Sequence, residues 1–414
     1  MQGIPRRGYD RLLEARLRLF PAVVLLGPRQ CGKSTLSRSL RLSGRGKRRI
    51  FDLERPSQLA RLRLAPEEDL GALQRVPGLI VIDEIQREPS LFPLLRALLD
   101  DPERRARYLL LGSAAPALVQ GASESLAGRA GFLDLTPFLA AEVAASAARF
   151  TRLWVRGGFP RSFLARSEAM SLEWREAYLR ALLERDIPAL RPGLPVATLT
   201  RLLTMLAHLH GGLVNESELA AGLGVTAPTV GRYLDVLEGL FLLRRLPPYF
   251  ANVGKRLTKA PRVYLRDSGL LHALLATPEA DALRGHPKVG ASFEGFVIEQ
   301  VLGALGLAGV NARPFFWRTH GGAEVDLLLD TGKAIVPVEV KLSGTPTVSR
   351  GLLECMKDLS CPHGFVLHGG EEEYSMGRGV RALPARLVAQ PDRLCATLGL
   401  ARRRPARSSG SSRS

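Results

Sequence analysis

The chain of 414 residues is long enough for two or three domains, and its 46% of hydrophobic residues excludes a largely disordered protein. Its formal net charge is +18, and 50 of its 58 basic residues are arginine. Arginine suits phosphate and nucleic acid, because its planar guanidinium forms paired hydrogen bonds with phosphate oxygens. A general bias toward Arg, Ala, Leu and Gly accounts for much of the same excess, so charge alone leaves nucleic-acid binding open.

Cysteine spacing and hydropathy argue against several further classes of protein. None of the four cysteines forms a C-x-x-C pair, which favours neither a zinc site nor a disulfide framework. No apolar run approaches the roughly 20 residues of a membrane span, and residues 1–10 lack the apolar region of a signal peptide. We therefore expect a cytoplasmic protein without membrane contact. Residues 401–414 are basic and of low complexity, and we expect disorder there.

The first predicted elements are an amphipathic helix over residues 9–19 and a P-loop. Residues 22–26 are apolar and predict a short buried strand, G-x-x-x-x-G-K-S follows, and a helical run comes next. Glycines let the loop backbone approach phosphate oxygens, Lys33 reaches the β- and γ-phosphates, and the Ser34 hydroxyl binds Mg²⁺. The predicted nucleotide-binding residues are Gly27, Pro28, Arg29, Gln30, Cys31, Gly32, Lys33, Ser34 and Thr35.

A Walker B strand is predicted next. Residues 49–54 read as a strand and 55–76 as helical, and residues 79–86 run Leu-Ile-Val-Ile-Asp-Glu-Ile-Gln. Asp83 would hold Mg²⁺ at the strand's carboxyl end, and Glu84 would act as the general base for the attacking water. The alternative is a buried strand with a polar cap.

Two further residues are candidates for the catalytic site. A helix is predicted over 90–99 and a strand over 108–113, where Ser113 would sense the γ-phosphate or simply end the strand. Arg129 would stabilise transition-state charge, in cis or toward a neighbouring subunit, or would be a surface salt-bridge partner. Alternating strands and helices predict a parallel sheet with phosphates at its carboxyl edge.

The middle of the chain is predicted to be helical. Residues 141–195 fit a helical lid that Gly-Gly-Phe-Pro interrupts at 157–160, with a long helix over 168–190. In residues 196–250 the order is helix 216–223, a glycine turn, helix 227–240 and a strand, which is the order of a winged helix-turn-helix. The second helix would present outward Thr226, Thr229, Arg232 and Tyr233. A packing module of the same fold without DNA remains the alternative.

A second cluster of charged residues lies in the C-terminal region, 251–400. A helix over 292–304 carries Glu294, and strands are predicted over 315–318, 323–329 and 334–342. If Asp330 pairs with Lys333, Asp326 lies opposite Pro337 and diagonal to Glu339, so two carboxylates could share one Mg²⁺ beside Lys341. The alternative is a structural ion pair, and Pro337 argues against a fully paired central strand.

Together these motifs resemble one prokaryotic family of AAA-type ATPases, over residues 8–395. The matching segments are Gly-Pro-Arg-Gln-Cys-Gly-Lys-Ser-Thr, Val-Ile-Asp-Glu-Ile-Gln, Leu-Ala-Gly-Arg, Gly-Gly-Phe-Pro, Glu-Arg-Asp-Ile and Trp-Arg-Thr-His-Gly-Gly-Ala-Glu-Val-Asp. The C-terminal half of these proteins is a domain of unknown function with a restriction-endonuclease-like core. The resemblance implies ATP binding at Gly27–Thr35, with Asp83 and Glu84 as Walker B residues, but no biological role.

The expected architecture is α/β: a P-loop core over 1–140, the helical lid, the winged module, the nuclease-like domain and a basic tail. The expected function is Mg²⁺-dependent ATP hydrolysis on or near DNA or RNA, with a homo-oligomer left open. The alternatives are a nucleotide-controlled protein-interaction module and an ATP-gated, metal-dependent nuclease.

Overall fold

The structure is a computed structural model that describes residues 4–40, 46–113, 125–190, 193–250, 260–277 and 279–400. Across these ranges the strands form three sheets, of five, six and two strands. No helix within the same ranges combines the length and the apolar character that crossing a membrane requires. The basic tail, 401–414, lies outside the described residues.

The first sheet is parallel, with strand order β2-β3-β4-β1-β5. Its strands are β1 (Ala22–Leu26), β2 (Lys47–Asp52), β3 (Gly78–Asp83), β4 (Ala106–Gly112) and β5 (Ala130–Asp134). The accompanying helices are Arg7–Leu19, Lys33–Ser39, Pro56–Leu64, Pro66–Gln74 and Leu91–Asp100. All five residues of β1 are buried, as expected for a central parallel strand with helices on both faces. The carboxyl ends of β1, β3 and β4 therefore meet at one edge of this sheet.

Two details of this sheet differ from the sequence prediction. The helical run predicted over 55–76 is two helices, because Pro66 cannot donate a backbone hydrogen bond and instead begins the second helix. The strand β5 was not predicted. Glycine and arginine precede it, and its apolar residues are few.

Short helices follow the first sheet. They are Ala140–Val143, Ala147–Arg156, Pro160–Phe163, Glu168–Ala181 and Ile187–Leu190, with a π-helical segment over Leu182–Asp186. Ser146 and Ser167 each cap a helix by accepting a hydrogen bond from a backbone N–H three residues later. The chain breaks where predicted, at Gly157, whose φ of 75° lies in the left-handed region.

A helix-turn-helix comes next, built from Val196–Leu209, Glu216–Leu223 and Ala227–Gly239. The two-stranded sheet follows, with β6 (Leu243–Leu246) antiparallel to β7 (Arg262–Leu265). The helix Val196–Leu209 was not predicted. Tyr233 was predicted to point outward, but it is buried in the core between these helices, because it falls on the same helical face as Val230 and Leu237.

The six-stranded sheet is mixed, with strand order β12-β13-β11-β10-β9-β8. Its strands are β8 (Arg313–Arg318), β9 (Glu324–Asp330), β10 (Ile335–Lys341), β11 (Gly364–His368), β12 (Tyr374–Gly377) and β13 (Val380–Pro384). Its accompanying helices are Ser268–Leu274, Ala280–Arg284, Val289–Leu307, Arg350–Asp358 and Pro391–Thr397. The strands β8, β9 and β10 are antiparallel neighbours, whereas β10 and β11 are parallel.

The register of β9 and β10 differs from the prediction by two residues. Asp330 pairs with Ile335 rather than with Lys333, so Pro337 lies opposite Leu328 and not opposite Asp326. The strand β10 lies inside the sheet despite Pro337, and its ladder with β11 begins one residue later. The longer turn places Asp326 just beyond the paired part of β9 and β10.

The helix Val289–Leu307 ties the parts of the chain together. It packs between the short helices and the six-stranded sheet, so Trp154 and Phe163 share one apolar core with Phe296 and Phe365. The Gln300 side chain accepts a hydrogen bond of 2.7 Å from the backbone of the helix Ala140–Val143. One face of the six-stranded sheet therefore shares its core with the short helices, whereas the other face packs against the helix Arg350–Asp358 in a separate core.

Candidate functional site

The P-loop backbone adopts a conformation that only glycine allows at two points. Gly32 has a φ of +104°, and a Cβ at Gly27 would collide with the carbonyl oxygen of Leu135. Lys33 is buried, and its ammonium donates to the carbonyls of Gly27 and Pro28, each at 2.9 Å. The lysine is thus already inside the loop, held by two weak neutral partners that phosphate oxygens would replace.

The Ser34 hydroxyl and the Asp83 carboxylate lie together beside the loop. Asp83 ends β3 and is buried, which raises the pKa of its carboxyl group, while a hydrogen bond from Ser34 and the charge of Lys33 lower it. A hydroxyl and a carboxylate are the oxygen ligands that Mg²⁺ prefers. The two residues that the sequence predicted for the metal of the nucleotide are therefore together and chemically suited to it.

Glu84 follows in a strained conformation and is held by side chains. Its φ of 57° is left-handed, which is uncommon for a residue with a side chain and typical of functional sites. Gln86 donates to the Glu84 carboxylate and, at 2.8 Å, to the Ser113 hydroxyl, which itself lies 3.5 Å from the same carboxylate. The structure thus brings Ser113 to Glu84. Sequence reasoning missed Gln86, although it lies in the same Walker B segment.

Arg129 does not belong to this site within one chain. It directly precedes β5, at the end of the sheet where Ala22 begins β1, whereas the P-loop follows the other end of β1. The two ends lie roughly 15 Å apart, given about 3.3 Å per strand residue. The Arg129 guanidinium instead forms a bidentate ion pair with Asp100, at 2.6 and 2.8 Å. The predicted role in cis is therefore wrong, and the salt-bridge alternative describes what the structure contains.

A cavity of about 610 Å³ opens in front of the P-loop. This volume is in the usual range for small-molecule sites. Four arginines that the sequence analysis did not assign to catalysis line it: Arg6, Arg29, Arg161 and Arg185. Arg161 lies in the helix Pro160–Phe163 and forms no ion pair among the described residues. Apolar lining residues include Ile4, Phe138, Pro160 and Leu164.

Arg6 supports the loop through a buried hydrogen-bond network, and nothing in the sequence pattern marked it. The buried guanidinium donates to Glu142 at 2.6 and 2.7 Å and to the carbonyls of Thr136 and Cys31, at 2.8 and 3.2 Å. Burial lowers the pKa of Arg6, but the bonds and charge of Glu142 outweigh burial and raise it. Burial also raises the pKa of the Cys31 thiol, so this P-loop cysteine is an inert packing residue.

In the C-terminal region the predicted carboxylates surround an arginine. Arg262, from β7, is buried and lies 3.3 Å from Glu294, 3.3 Å from Asp326 and 2.8 Å from Glu324. The Tyr264 hydroxyl donates to Glu294 at 2.6 Å. The backbone N–H of Val340 donates to the second oxygen of Asp326, at 3.0 Å. The positive charge among these carboxylates is thus supplied by the chain itself.

Glu339 lies opposite Asp326 when the register of β9 and β10 is continued by one residue, but its carboxylate bonds to a different partner. It accepts from Ser349, which caps the helix Arg350–Asp358, whereas Glu294 belongs to the helix on the other face of the sheet. Lys341 is half-buried, and its charge lowers the pKa of both Glu294 and Glu339, which burial raises. Across the described part of the chain, no three His, Cys, Asp or Glu side chains are grouped closely enough to hold a metal ion. The predicted metal site of Glu294, Asp326 and Glu339 is therefore not assembled.

Three family models match the chain in succession. Residues 19–144 match an AAA domain, residues 147–281 match a domain of unknown function (DUF8612), and residues 289–388 match another (DUF4143). The first match contains the P-loop, Asp83 and Glu84. The family models thus agree with an AAA-type P-loop domain in the first third of the chain.

Whole-chain similarity extends further. The chain is 43% identical over 382 residues to the uncharacterized proteins Rv2008c of Mycobacterium tuberculosis and Mb2031c of Mycobacterium bovis, covering 92% of this chain and 84% of each relative. Among solved structures, the Walker-type ATPase PABY2304 of Pyrococcus abyssi is 16% identical, with a TM-score of 0.48, over 66% of this chain and 98% of that one. The chain therefore belongs to the family of Rv2008c and Mb2031c, and its first third is an AAA-type P-loop domain.

Proposed function

We propose that the protein binds ATP with Mg²⁺ and hydrolyses it. One observation carries this proposal: Lys33, Ser34, Asp83 and Glu84 converge at the carboxyl edge of a parallel sheet, in front of a cavity of about 610 Å³. That edge is where open parallel sheets bind nucleotides. The buried side-chain oxygen of Gln86 also has no hydrogen-bond partner among the described residues, so it can accept a hydrogen bond from a ligand or water.

Each residue has a separate task. Lys33 leaves the two loop carbonyls for phosphate oxygens, and the loop N–H groups bind the same anion. Ser34 and Asp83 would hold Mg²⁺, which supplies charge neutralisation at the phosphates. Glu84 takes a proton from the attacking water, and Gln86 and Ser113 hold its carboxylate in place.

The positive charge assigned to Arg129 in the sequence analysis comes, in this proposal, from Arg161. Arg161 lines the cavity and has no carboxylate partner among the described residues, so its charge is available to a phosphate. An unpaired guanidinium stabilises developing negative charge more strongly than one already bound to an aspartate.

Two substitutions test the proposed function. Lys33→Ala should abolish most nucleotide affinity, whereas Glu84→Gln should preserve binding and lower kcat by about 10²-fold or more, because it removes the base and leaves Asp83 in place. Nucleotide titration and phosphate release measure the two effects. Arg61→Ala is the control, since it breaks an exposed ion pair with Asp69 outside the cavity. Normal hydrolysis by Glu84→Gln would show that Glu84 is not the base.

We infer further that the C-terminal region has a restriction-endonuclease-like fold in a structural role. Its order is the helix Val289–Leu307, three antiparallel strands, the helix Arg350–Asp358 and a parallel strand, β11. The guanidinium of Arg262 lies among the carboxylates of Glu294, Glu324 and Asp326. The full chain should therefore not cleave plasmid DNA in Mg²⁺ or Mn²⁺, and cleavage that Asp326→Ala abolishes would contradict this inference.

Nucleic-acid binding is a second candidate, which one observation favours. Arg232 is exposed on the second helix of the helix-turn-helix, and its guanidinium bonds only to the Thr229 hydroxyl among the described residues. If this helix binds DNA, the logarithm of the affinity should fall linearly with the logarithm of the salt concentration. Arg232→Ala should reduce the slope of that line by about 1. No binding at low salt would instead favour the nucleotide-controlled interaction module.

A further inference from the structure

Arg29 is the cavity-lining arginine that belongs to the P-loop itself. Its guanidinium forms an ion pair with Asp186 and lies 3.6 Å from Glu54, which also lines the cavity. The Arg29 side chain is 28% exposed, whereas that of Asp186 is 6% exposed. The loop that would bind phosphate is therefore tied, through Arg29, to a carboxylate on the far side of the cavity.

Asp186 lies at the end of the π-helical segment Leu182–Asp186. Such segments are rare and occur frequently at functional sites, because the inserted residue shifts the following side chains around the helix. Asp186 also pairs with the exposed Arg185 at 3.0 Å, so it keeps one positive partner if Arg29 leaves. The Tyr178 hydroxyl, from the preceding helix, lies 3.5 Å from the Arg29 carbonyl. Two residues of this helical segment, about two turns apart, thus contact the same loop residue.

We propose that Arg29 exchanges Asp186 for the terminal phosphate of ATP, so that the loop distinguishes ATP from ADP and releases the lid segment when ATP binds. This inference rests on the proposed ATP-binding function. The loop N–H groups and Lys33 reach the β- and γ-phosphates, and the terminal phosphate has further oxygens for a side chain at the rim of the loop. A phosphate bearing about two charges displaces a single carboxylate from a guanidinium, and the guanidinium binds both in the same paired geometry.

The exchange predicts effects of opposite sign for the two partners. Removing Arg29 removes a phosphate contact, so ATP affinity should fall. Neutralising Asp186 removes the competitor for Arg29, so ATP affinity should rise. A merely structural ion pair predicts the same sign for both, because either substitution breaks the same bond and loosens the same segment.

The experiment compares nucleotides on the full chain with Mg²⁺, using ADP and the non-hydrolysable β,γ-imido analogue of ATP. Arg29→Ala should weaken analogue binding about tenfold or more and ADP binding by less than about threefold, as expected for one charge-assisted hydrogen-bonding partner. Asp186→Asn should tighten analogue binding about threefold or more and leave ADP unchanged. The double variant should resemble Arg29→Ala, and Arg61→Ala is the control for loss of an arginine elsewhere.

Each outcome decides between the alternatives. Equal losses for ADP and the analogue in Arg29→Ala, or weaker analogue binding in Asp186→Asn, would overturn the exchange while leaving the ATPase proposal standing. If Arg29→Ala does not fold, Asp186→Asn alone decides, since only the exchange predicts tighter binding. Failure of the unsubstituted chain to bind either nucleotide would reject the proposed function itself.

Discussion

A strong pH-dependent effect on stability is expected at Glu294. Its side chain is 18% exposed, and burial together with the charge of Asp326 raises its pKa from 4.5 to about 8, against the opposing effects of Arg262 and Tyr264. Because the folded state holds the proton more tightly than the unfolded state, this group contributes stability that is fully present below pH 4.5. That stability is lost as the pH rises to about 8.

The perturbation that isolates this effect is Glu294→Gln. Glutamine carries no charge and still accepts the hydrogen bond from Tyr264. A pKa raised from 4.5 to about 8 corresponds to roughly 4–5 kcal/mol, so the stability of the wild type relative to Glu294→Gln should fall by up to that amount across this pH range. Urea unfolding of both proteins at half-unit pH intervals gives the difference directly.

The control is Glu324→Gln. Glu324 contacts the same arginine, but its side chain is 41% exposed and solvent screens its charge. Its substitution should therefore change the pH dependence far less than that of Glu294. If the wild type and Glu294→Gln differ by a constant amount between pH 4.5 and pH 8, then Glu294 is ionised throughout, and the account of its burial is refuted.

Three further predictions concern single arginines. Arg161→Ala should lower kcat for ATP hydrolysis about tenfold or more, through loss of a charge that stabilises the transition state, and an unchanged kcat in steady-state kinetics would remove Arg161 from this role. Arg129→Ala should leave kcat within about twofold, because its ion pair with Asp100 lies at the opposite end of the sheet; a large loss would indicate action on a neighbouring subunit. Arg262→Met should cost about 3–5 kcal/mol in urea unfolding, since it leaves buried carboxylates uncompensated, and a cost below about 1 kcal/mol would contradict the buried network.

The sequence predicted which residues come together at the carboxyl edge of the first sheet, because most of them are close in the chain. Strand, glycine loop and helix follow one another without interruption, and Asp83 and Glu84 directly end an apolar strand, so short-range pattern and parallel-sheet topology suffice. The role of Ser113 rested on the same logic, and the structure places it beside Glu84. The catalytic position of Arg129 was not predicted correctly because the strand that follows it was not predicted. The end of the sheet at which Arg129 lies was therefore unknown.

The metal site predicted from the C-terminal carboxylates differs from the structure for another reason. The strands that carry Asp326 and Glu339 were identified, and a turn two residues longer than assumed changed their register without moving these two residues apart. The decisive residue, Arg262, lies more than sixty positions from Asp326 in the sequence and belongs to another sheet. No periodicity or spacing signals a contact between an arginine on one strand and carboxylates on distant elements. Arg161 had a local signal, its place directly after Gly-Gly-Phe-Pro, but nothing in that string indicates the cavity.

The helix Val289–Leu307 has a consequence for how this protein can be dissected or recombined. Its apolar surface is covered on one side by Trp154 and Phe163 and on the other by the six-stranded sheet. A fragment that ends before residue 289 lacks the helix and would expose the residues of the first half that cover it. A fragment that begins at residue 289 would expose the apolar surface of the helix itself. Neither half is therefore expected to be soluble when expressed alone, and activity lost on truncation would reflect aggregation. Single substitutions in the intact chain are the informative route, and gene fusions that exchange only one half would need to replace this helix together with its covering residues.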